Sequence, residues 1–417
     1  FRQPDQHRHC GVQRPAGVLM AVPVCGADGV FVAQTLAADV TTTTPAAPAR
    51  RRLILHAGTH KTASTDIQSR LLRSRELLEQ QNVRYRFPLG DVAHFKPLTK
   101  AITRGQWDVW HDYLEAMDGC DGDLLLSAEQ FAPRLTQRKT IRKLRSLAQQ
   151  HGYELTIVIF IRSELDYINS RYAYTLKRFY HTTTFEGYVE EVLAGRLPSS
   201  GTFTGPNAKR SDVFDFWNYF AALLKERERG LDVRFIPFRQ TDPDPLRQLL
   251  TTLDLNPDLG WAASRSEALN QSPGPRATWL AREVGLRLAR HGISHRVIEN
   301  SSAIIPQEQS FRRWEDGSFW GFDRDLARVV RRHFKDNNDR FAQAVWARRW
   351  KEVFIQDRTL LKRPQAVYEP KTASNMVAMQ RIADHVLLRI QRRLQPRALH
   401  RLREAMERLG STLPATI

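Results

Sequence analysis

The sequence predicts the α/β fold class, with three layers in which helices cover both faces of a central, mostly parallel sheet. Two observations predict it. Strand-like apolar runs alternate with helix-length amphipathic segments along the chain. Residues 155–161 (LTIVIFI) are apolar on both alternating faces, as in a strand that is buried on both sides. With 417 residues, the chain can form one large domain with extensions, or two domains.

The individual elements follow from hydrophobic periodicity. Five short runs rich in apolar and β-branched residues are predicted strands: residues 52–56, 83–87, 123–127, 155–161 and 233–238. Helical spacing of apolar residues predicts helices over residues 64–80, 136–150, 164–178 and 213–227. After about residue 265 the pattern becomes helical, so we expect a helical C-terminal part.

Two extensions flank the predicted sheet domain. Residues 1–50 include the low-complexity run AADVTTTTPAAPARRR, which lacks the apolar residues for a core, so we expect a disordered or non-globular extension. The ordered domain is then expected over residues 51–347. Residues 348–417 hold 15 Lys or Arg against 6 Asp or Glu, which is half of the net charge of +18. We expect them to form a basic helical extension.

The basic extension contains one apolar stripe at helical spacing: Met379, Ile382, Val386, Ile390 and Leu394. We expect this stripe to pack on the domain. The alternative is a helix lying on anionic lipid, which would give the protein a peripheral membrane contact.

The net charge and the cysteine content indicate the kind of binding partner and the cellular compartment. A net charge of +18 favours polyanionic partners, without choosing among phosphates, sulfates, nucleic acid and anionic membranes. The three cysteines, Cys10, Cys25 and Cys120, cannot build a disulfide framework and lack metal-site spacing. We therefore expect a cytoplasmic protein, with the inner membrane surface as an alternative. Residues 17–27 (GVLMAVPVCGA) could serve as a short signal-peptide core, but the proline within them argues against it.

The most informative stretch is LILHAGTHKTASTDIQ, residues 53–68. A chain that leaves a buried strand and enters a helix presents free backbone N–H groups, and the helix dipole favours negative charge there. Gly58 permits a tight turn, Lys61 adds a positive charge, and Thr62, Ser64 and Thr65 add hydroxyl donors. The stretch therefore predicts a site for a tetrahedral oxyanion. Its lysine spacing differs from the GxxxxGK[ST] motif of nucleoside triphosphate enzymes.

This stretch resembles the 5′-phosphosulfate loop of sulfotransferases that use 3′-phosphoadenosine 5′-phosphosulfate (PAPS), whose pattern is roughly GxxKTGTTxLQ. The matching residues are Gly58, Lys61, Thr62, Ser64, Thr65 and Gln68. The sequence departs at Ala63, where the family has glycine; a methyl group is tolerated there if the residue has ordinary helical dihedrals. The resemblance implies a P-loop-type domain that holds PAPS as co-substrate, without a metal, through Gly58, Thr59, His60, Lys61, Thr62, Ala63, Ser64 and Thr65.

A second motif follows in the order that the same family shows. The segment IVIFIRSELDYINSRYAY places Arg162 at the end of a strand and Ser170 eight residues later on a helix. This arrangement resembles the family's 3′-phosphate motif. A guanidinium grips phosphate through two parallel hydrogen bonds, and a serine hydroxyl supplies another donor. The proline that often follows the arginine in the family is absent here.

The resemblance implies sulfuryl transfer from PAPS to a hydroxyl or amine, with a carbohydrate or lipid-linked glycan as the expected acceptor. Lys61 would offset charge on the leaving phosphate. We expect His94 to act as the base, with Glu129 as an alternative base or as the group that orients it. Of two further groups, Lys209 and Arg210 are expected to be a solvated loop pair. Trp107, Trp110 and Tyr113 are expected to pack in the core.

Two other function classes remain open from the residues alone. A P-loop kinase or NTPase would bind ATP with magnesium, but the lysine spacing argues against it. A non-enzymatic protein could bind polyanions through its basic surface, although no recognised nucleic-acid motif is present and no specific nucleic-acid partner is expected.

Overall fold

A computed structural model describes residues 51–88, 93–197, 213–239, 242, 244–264 and 272–410, with side chains up to residue 394. The predicted N-terminal extension (residues 1–50), Lys209 and Arg210 lie outside the described residues. Residues Arg50–Ile417 form one compact unit.

The central sheet confirms the predicted fold class. Its five strands are β1 (Arg51–His56), β2 (Val83–Arg84), β3 (Asp123–Ser127), β4 (Tyr153–Arg162) and β5 (Asp232–Phe238). Their order is β2-β3-β1-β4-β5, and every neighbouring pair is parallel. The interior of β4 is buried, as expected for a strand covered on both faces. The second predicted strand is shorter than expected, because pairing stops after Arg84.

Helices flank the sheet and form the C-terminal part. They are α1 (Ser64–Arg73), α2 (Arg75–Gln80), α3 (Lys96–Arg104), α4 (Asp108–Glu115), α5 (Arg138–Gln150), α6 (Glu164–Lys177), α7 (Phe185–Leu193), α8 (Phe216–Tyr219), α9 (Ala221–Arg227), α10 (Pro245–Thr252), α11 (Pro275–Arg290), α12 (Ser301–Phe311), α13 (Arg324–Trp346), α14 (Trp350–Val353), α15 (Asp357–Leu360) and α16 (Ala373–Gly410). Two 3₁₀ helices, Glu129–Arg134 and His295–Val297, complete the set.

Two predicted helices are interrupted in the structure. The predicted helix over residues 64–80 divides at Ser74, whose N–H bonds to both Arg70 and Leu71 carbonyl oxygens. The helix predicted over residues 213–227 divides at Phe220 into α8 and α9. Periodicity missed both breaks because the apolar spacing continues across each of them.

The basic C-terminal helix packs on the domain through its apolar stripe, as predicted. Met379, Val386 and Ile390 are buried, and Ile382 and Leu394 pack partly buried against the core. The stripe lies on α11. No helix in the described part of the chain is both long enough and apolar enough to cross a membrane.

Strand order determines where a ligand can bind. The chain leaves β1 towards β2 and β3 on one side, and later adds β4 and β5 on the other. In open α/β sheets, the crevice beyond the carboxyl ends of strands at such a reversal is the usual ligand position. Here that crevice lies beyond His56 and Arg162, between β1 and β4.

Candidate anion-binding site at the carboxyl end of the sheet

The connection from β1 to α1 is fixed to the end of β4. The N–H of Thr59 donates to the Phe160 carbonyl over 3.0 Å, and its Oγ1 donates to the same oxygen over 3.1 Å. The Ala57 N–H donates to the Val158 carbonyl over 2.9 Å. The loop that carries the sequence motif, residues 57–63, is therefore held along a buried strand. We call it the cationic loop.

Glycine is required at position 58 because Glu129 lies against it. Gly58 has a φ of +92°, and a Cβ built there would lie 3.0 Å from the Glu129 Cβ and 3.1 Å from its Cα. Any side chain would strain the backbone and press on Glu129. The predicted base candidate Glu129 therefore lies beside the cationic loop.

Two residues of the loop adopt left-handed backbone conformations. Lys61 has a φ of 66° and Ala63, the N-cap of α1, has a φ of 58°. Ala63 therefore does not meet the condition under which a methyl group is tolerated there, ordinary helical dihedrals, because the turn has a left-handed residue at this position. Left-handed residues let successive N–H groups converge on one point, and such concavities bind anions. No side chain caps the N-terminus of α1.

The hydroxyls of the loop have different surroundings. Thr62 is buried and donates its Oγ1 hydrogen to the Thr59 carbonyl over 2.6 Å, which stabilises the turn itself. Ser64 is also buried, and its Oγ lies 3.5 Å from the same carbonyl. Thr65 is exposed on the first turn of α1. Thr65 therefore has a hydroxyl donor left for a ligand, whereas Ser64 would have to give up its long bond to the Thr59 carbonyl to donate to one.

Arg162 connects the end of β4 directly to the cationic loop. Its Nη1 donates to the Lys61 carbonyl over 2.5 Å, and its Nε donates to Asp166 Oδ2 over 2.8 Å. The two predicted phosphate-binding motifs, 101 residues apart in sequence, therefore meet in space. Ser170 is buried on α6, one helical turn beyond Asp166 and on the same face.

Lys61 is strongly perturbed by its surroundings. Burial lowers the pKa of the Lys61 ammonium to about 7, and the nearby charges of Lys177, Arg162 and Arg171 act in the same direction. The carboxylate of Glu129 opposes this shift. Burial also lowers the pKa of His60 well below its ordinary value, so its imidazole is neutral near pH 7. Burial disfavours the charged form of such a group, and an anion bound next to the group stabilises that charged form.

The two base candidates differ in their connection to the loop. Glu129 accepts hydrogen bonds from Gln68 Nε2 over 3.2 Å and from Gln130 Nε2 over 3.0 Å. Gln68 belongs to the loop motif, so this bond links Glu129 to α1. His94 lies in the turn before α3, and its buried Nδ1 has no hydrogen-bond partner among the described residues. No contact joins His94 to Lys61 in the part of the chain that the structure describes.

Three residues near the site were not selected from the sequence. Tyr174 on α6 has the Lys61 Nζ 5.0 Å from its ring centroid, and Lys177 Nζ lies 5.8 Å from the same centroid. Arg171 is completely buried and lines a small cavity behind the loop, with Thr59 and His60. Helical spacing from Ser170 would have indicated Tyr174 and Lys177, because positions 170, 174 and 177 share one helix face.

The other sequence candidates lie away from the loop. Trp110 and Tyr113 are buried, and they donate to the carbonyls of Leu98 and Arg86, which confirms the core-packing interpretation. His111, Asp112 and Glu115 offer ligand atoms within 4.8 Å of one another, but all three are exposed on α4. The sequence analysis did not identify this group.

The site belongs to a three-layer α/β/α protein with an uncapped helix N-terminus and converging cations at the carboxyl edge of its parallel sheet. No family model and no curated protein matches the chain. A sulfotransferase from Alicyclobacillus acidocaldarius aligns with a TM-score of 0.30 and 12% identity over 58% of this chain and 96% of its own. The PezAT chromosomal toxin-antitoxin system of Streptococcus pneumoniae aligns with a TM-score of 0.26 and 13% identity, over 59% and 90%. Because both TM-scores are low, we infer no activity from these likenesses.

Proposed function

We propose that the protein is a PAPS-dependent sulfotransferase that transfers a sulfuryl group to a hydroxyl or amine of a carbohydrate or lipid-linked glycan. The observation that carries this proposal is the hydrogen bond between Arg162 and the Lys61 carbonyl, which joins two phosphate-binding motifs in one crevice. PAPS has two phosphate groups at opposite ends of one ribose, so its recognition requires two adjacent anion sites of this kind.

The residues present fit such a ligand. The uncapped N-terminus of α1, the left-handed turn and the hydroxyls of Ser64 and Thr65 would hold the 5′-phosphate. Arg162, fixed by Asp166, and Ser170 would hold the 3′-phosphate. The Lys61 ammonium lies 5.0 Å from the centroid of the Tyr174 ring, and in this proposal it contacts the phosphate of the bound ligand.

Bound PAPS would supply an activated sulfuryl group whose leaving group is a phosphate. In the overall transfer, a bond forms between the acceptor oxygen and sulfur, the bond from sulfur to the phosphate oxygen breaks, and the acceptor proton passes to a base. Lys61 offsets the charge that develops on the leaving phosphate oxygen. The position of Glu129 beside Gly58, and its electrostatic effect on Lys61, support Glu129 as the base in this proposal. His94 remains the alternative.

Calorimetric titration with 3′,5′-diphosphoadenosine, the product nucleotide, tests the proposal without an acceptor. We expect binding by the wild type and at least tenfold weaker binding by Lys61→Ala, because a charge-assisted contact to phosphate is lost. Lys143→Ala, at an exposed position on α5, is the matched control and should bind as the wild type does. Absence of binding by the wild type, or magnesium-dependent binding of ATP in its place, would contradict the proposal.

Transfer of ³⁵S from labelled PAPS to glycan extracts tests the chemistry. Glu129→Gln keeps the size of the side chain and one of its two acceptor oxygens but removes its basicity. If Glu129 is the base, this variant should bind the nucleotide normally and lose transfer by about 10²-fold or more. The same loss in His94→Gln, with Glu129→Gln unaffected, would assign the base to His94.

A further inference from the structure

Lys177 is a second buried lysine beside the cationic loop. It is the last residue of α6, its exposed fraction is 4%, and the described residues contain no ion pair or hydrogen bond to its ammonium. The ammonium lies over the face of the Tyr174 ring, 5.8 Å from its centroid, at the end of α6.

The immediate surroundings of Lys177 are electropositive. Lys177 and Lys61 lie within 6 Å of the Tyr174 ring centroid, and the guanidinium carbon of Arg178 lies 5.6 Å from it. Burial lowers the pKa of Lys177, and the charge of Arg178 adds to this effect. The aromatic face offsets part of the repulsion between these cations. The Glu129 carboxylate offsets part of the charge at Lys61, but three cations against one carboxylate leave an excess of positive charge, so a bound anion would stabilise this arrangement.

Lys177 lies further along α6 than the residues that are proposed to bind the nucleotide. Arg162 precedes the helix, Ser170 lies in its middle, and Lys177 ends it, about 10 Å beyond Ser170 at 1.5 Å per residue. Lys61 reaches from its carbonyl, which binds Arg162, to its ammonium beside Tyr174. The ammonium groups of Lys61 and Lys177 therefore lie at the same aromatic ring, further along α6 than Ser170.

We propose that Lys177 binds an anionic group of the acceptor, so that the substrate class is a glycan that already carries a carboxylate, phosphate or sulfate near the reacting hydroxyl or amine. This inference rests on the proposed function, since it assigns the nucleotide to the loop and Arg162. Lys177 and Tyr174 then form the wall of the acceptor subsite, and Lys61 lies between this subsite and the nucleotide.

The test uses the full-length protein saturated with 3′,5′-diphosphoadenosine. Four sugars that differ in one group are titrated: glucose, glucuronate, glucose 6-phosphate and glucose 6-sulfate. We expect the wild type to bind at least one anionic sugar tenfold or more tightly than glucose. The anion that binds most tightly distinguishes carboxylate, phosphate and sulfate as the source of the charge.

Variants of Lys177 show whether this residue binds the acceptor or has a purely structural role. Lys177→Met keeps the length of the side chain and should abolish the preference for the anionic sugar, while the affinity for 3′,5′-diphosphoadenosine changes by less than about threefold. Lys177→Arg should keep the preference, because its charge remains. Thermal unfolding of each variant shows whether the fold is retained, and Lys177→Gln, which also removes the charge, carries the test if Lys177→Met unfolds.

Two results would overturn the inference and leave the proposed function intact. The first is equal binding of neutral and anionic sugars by a wild type that binds 3′,5′-diphosphoadenosine. The second is a loss of nucleotide affinity in Lys177→Met as large as in Lys61→Ala, which would place Lys177 at the nucleotide. A wild type that does not bind 3′,5′-diphosphoadenosine would overturn the inference together with the proposed function.

Discussion

At the scale of single residues, the backbone of Ala63 is the clearest departure from expectation. Its left-handed φ of 58° places a methyl group where glycine would be unstrained. The sequence alone shows an alanine in a loop motif and gives no dihedral angle. Alanine in place of the glycine of the sulfotransferase loop pattern is therefore a source of backbone strain that mutation can test.

We predict that Ala63→Gly raises the free energy of unfolding by up to about 1 kcal/mol, since the relief of left-handed strain exceeds the added chain entropy of glycine. Ala63→Val should lower it by about 1–2 kcal/mol, because a β-branched side chain tolerates positive φ poorly. Urea unfolding of both variants measures the difference. Equal stability of the glycine and valine variants would contradict the left-handed assignment.

The perturbed lysine of the cationic loop predicts a pH dependence of nucleotide binding. Lys61 has a pKa of about 7 in the structure, and a bound dianion favours its charged form. Affinity for 3′,5′-diphosphoadenosine should therefore fall as pH rises from 7 to 9, by up to about tenfold per unit. Calorimetry across this range measures it.

Lys61→Arg is the control for this pH dependence, because arginine stays charged throughout the range. Its affinity profile should be flatter than that of the wild type. A wild-type affinity that is constant from pH 7 to 9 would show that the Lys61 ammonium does not face the anion.

At the scale of elements, α6 organises both the site and a buried acidic pair. Ser163, its N-cap residue, donates to Asp357 Oδ1 over 2.5 Å, and Trp350 Nε1 donates to Glu164 Oε2 over 2.9 Å. Burial raises the pKa of both carboxyls; the charge of Asp357 adds to the shift at Glu164, and the charge of Asp166 adds to the shift at Asp357. The start of α6, which follows Arg162 directly, is thus fixed by α14 and α15.

This acidic pair predicts a loss of stability with rising pH. Both native pKa values lie above the ordinary carboxyl range, so the folded state binds more protons than the unfolded state as pH rises from about 4 towards neutrality. Glu164→Gln removes one charge and keeps an acceptor for Trp350. Between pH 5 and pH 8, the free energy of unfolding should fall less in this variant than in the wild type. The two decreases should differ by more than about 1 kcal/mol.

Thermal unfolding at pH 5 and pH 8 measures this difference. Glu76→Gln, an exposed position on α2, is the matched control and should follow the wild type at both values. A Glu164→Gln variant with the same pH profile as the wild type would show that the pair does not titrate as a buried unit.

The strands were predictable because buried parallel strands leave contiguous apolar runs, as residues 155–161 do. The residues of the two candidate motifs could be selected from the sequence because those of each motif are close together in the chain. The contacts of Lys177 with Tyr174, and of Ser163 with Asp357, depend on packing between elements. No periodicity in one segment encodes which distant segment will cover it.

At the scale of the whole molecule, the C-terminal helix is part of the domain core. Val386 is completely buried on α16, whereas Leu388 on the same helix has an exposed fraction of 51%. Val386→Asp should destabilise the protein by about 3 kcal/mol or more, because it buries a charge without a partner. Leu388→Asp should change stability by less than about 0.5 kcal/mol.

Chemical denaturation of these two variants decides between a packed helix and a detached one. If Val386→Asp is as stable as Leu388→Asp, α16 is not packed on α11 in solution. A large difference would place the apolar stripe inside the core. The basic face of the helix is then the part left for any anionic surface.

The meeting of Arg162 with the Lys61 carbonyl also has a consequence during synthesis. The two parts of the candidate site follow β1 and β4, strands that pair across about a hundred residues. They can therefore meet only after β4 has left the ribosome. Until then, the emerging chain contains the turn with Lys61 but lacks the contact of this turn with Arg162. The candidate site is therefore completed in one step, when β4 docks beside β1.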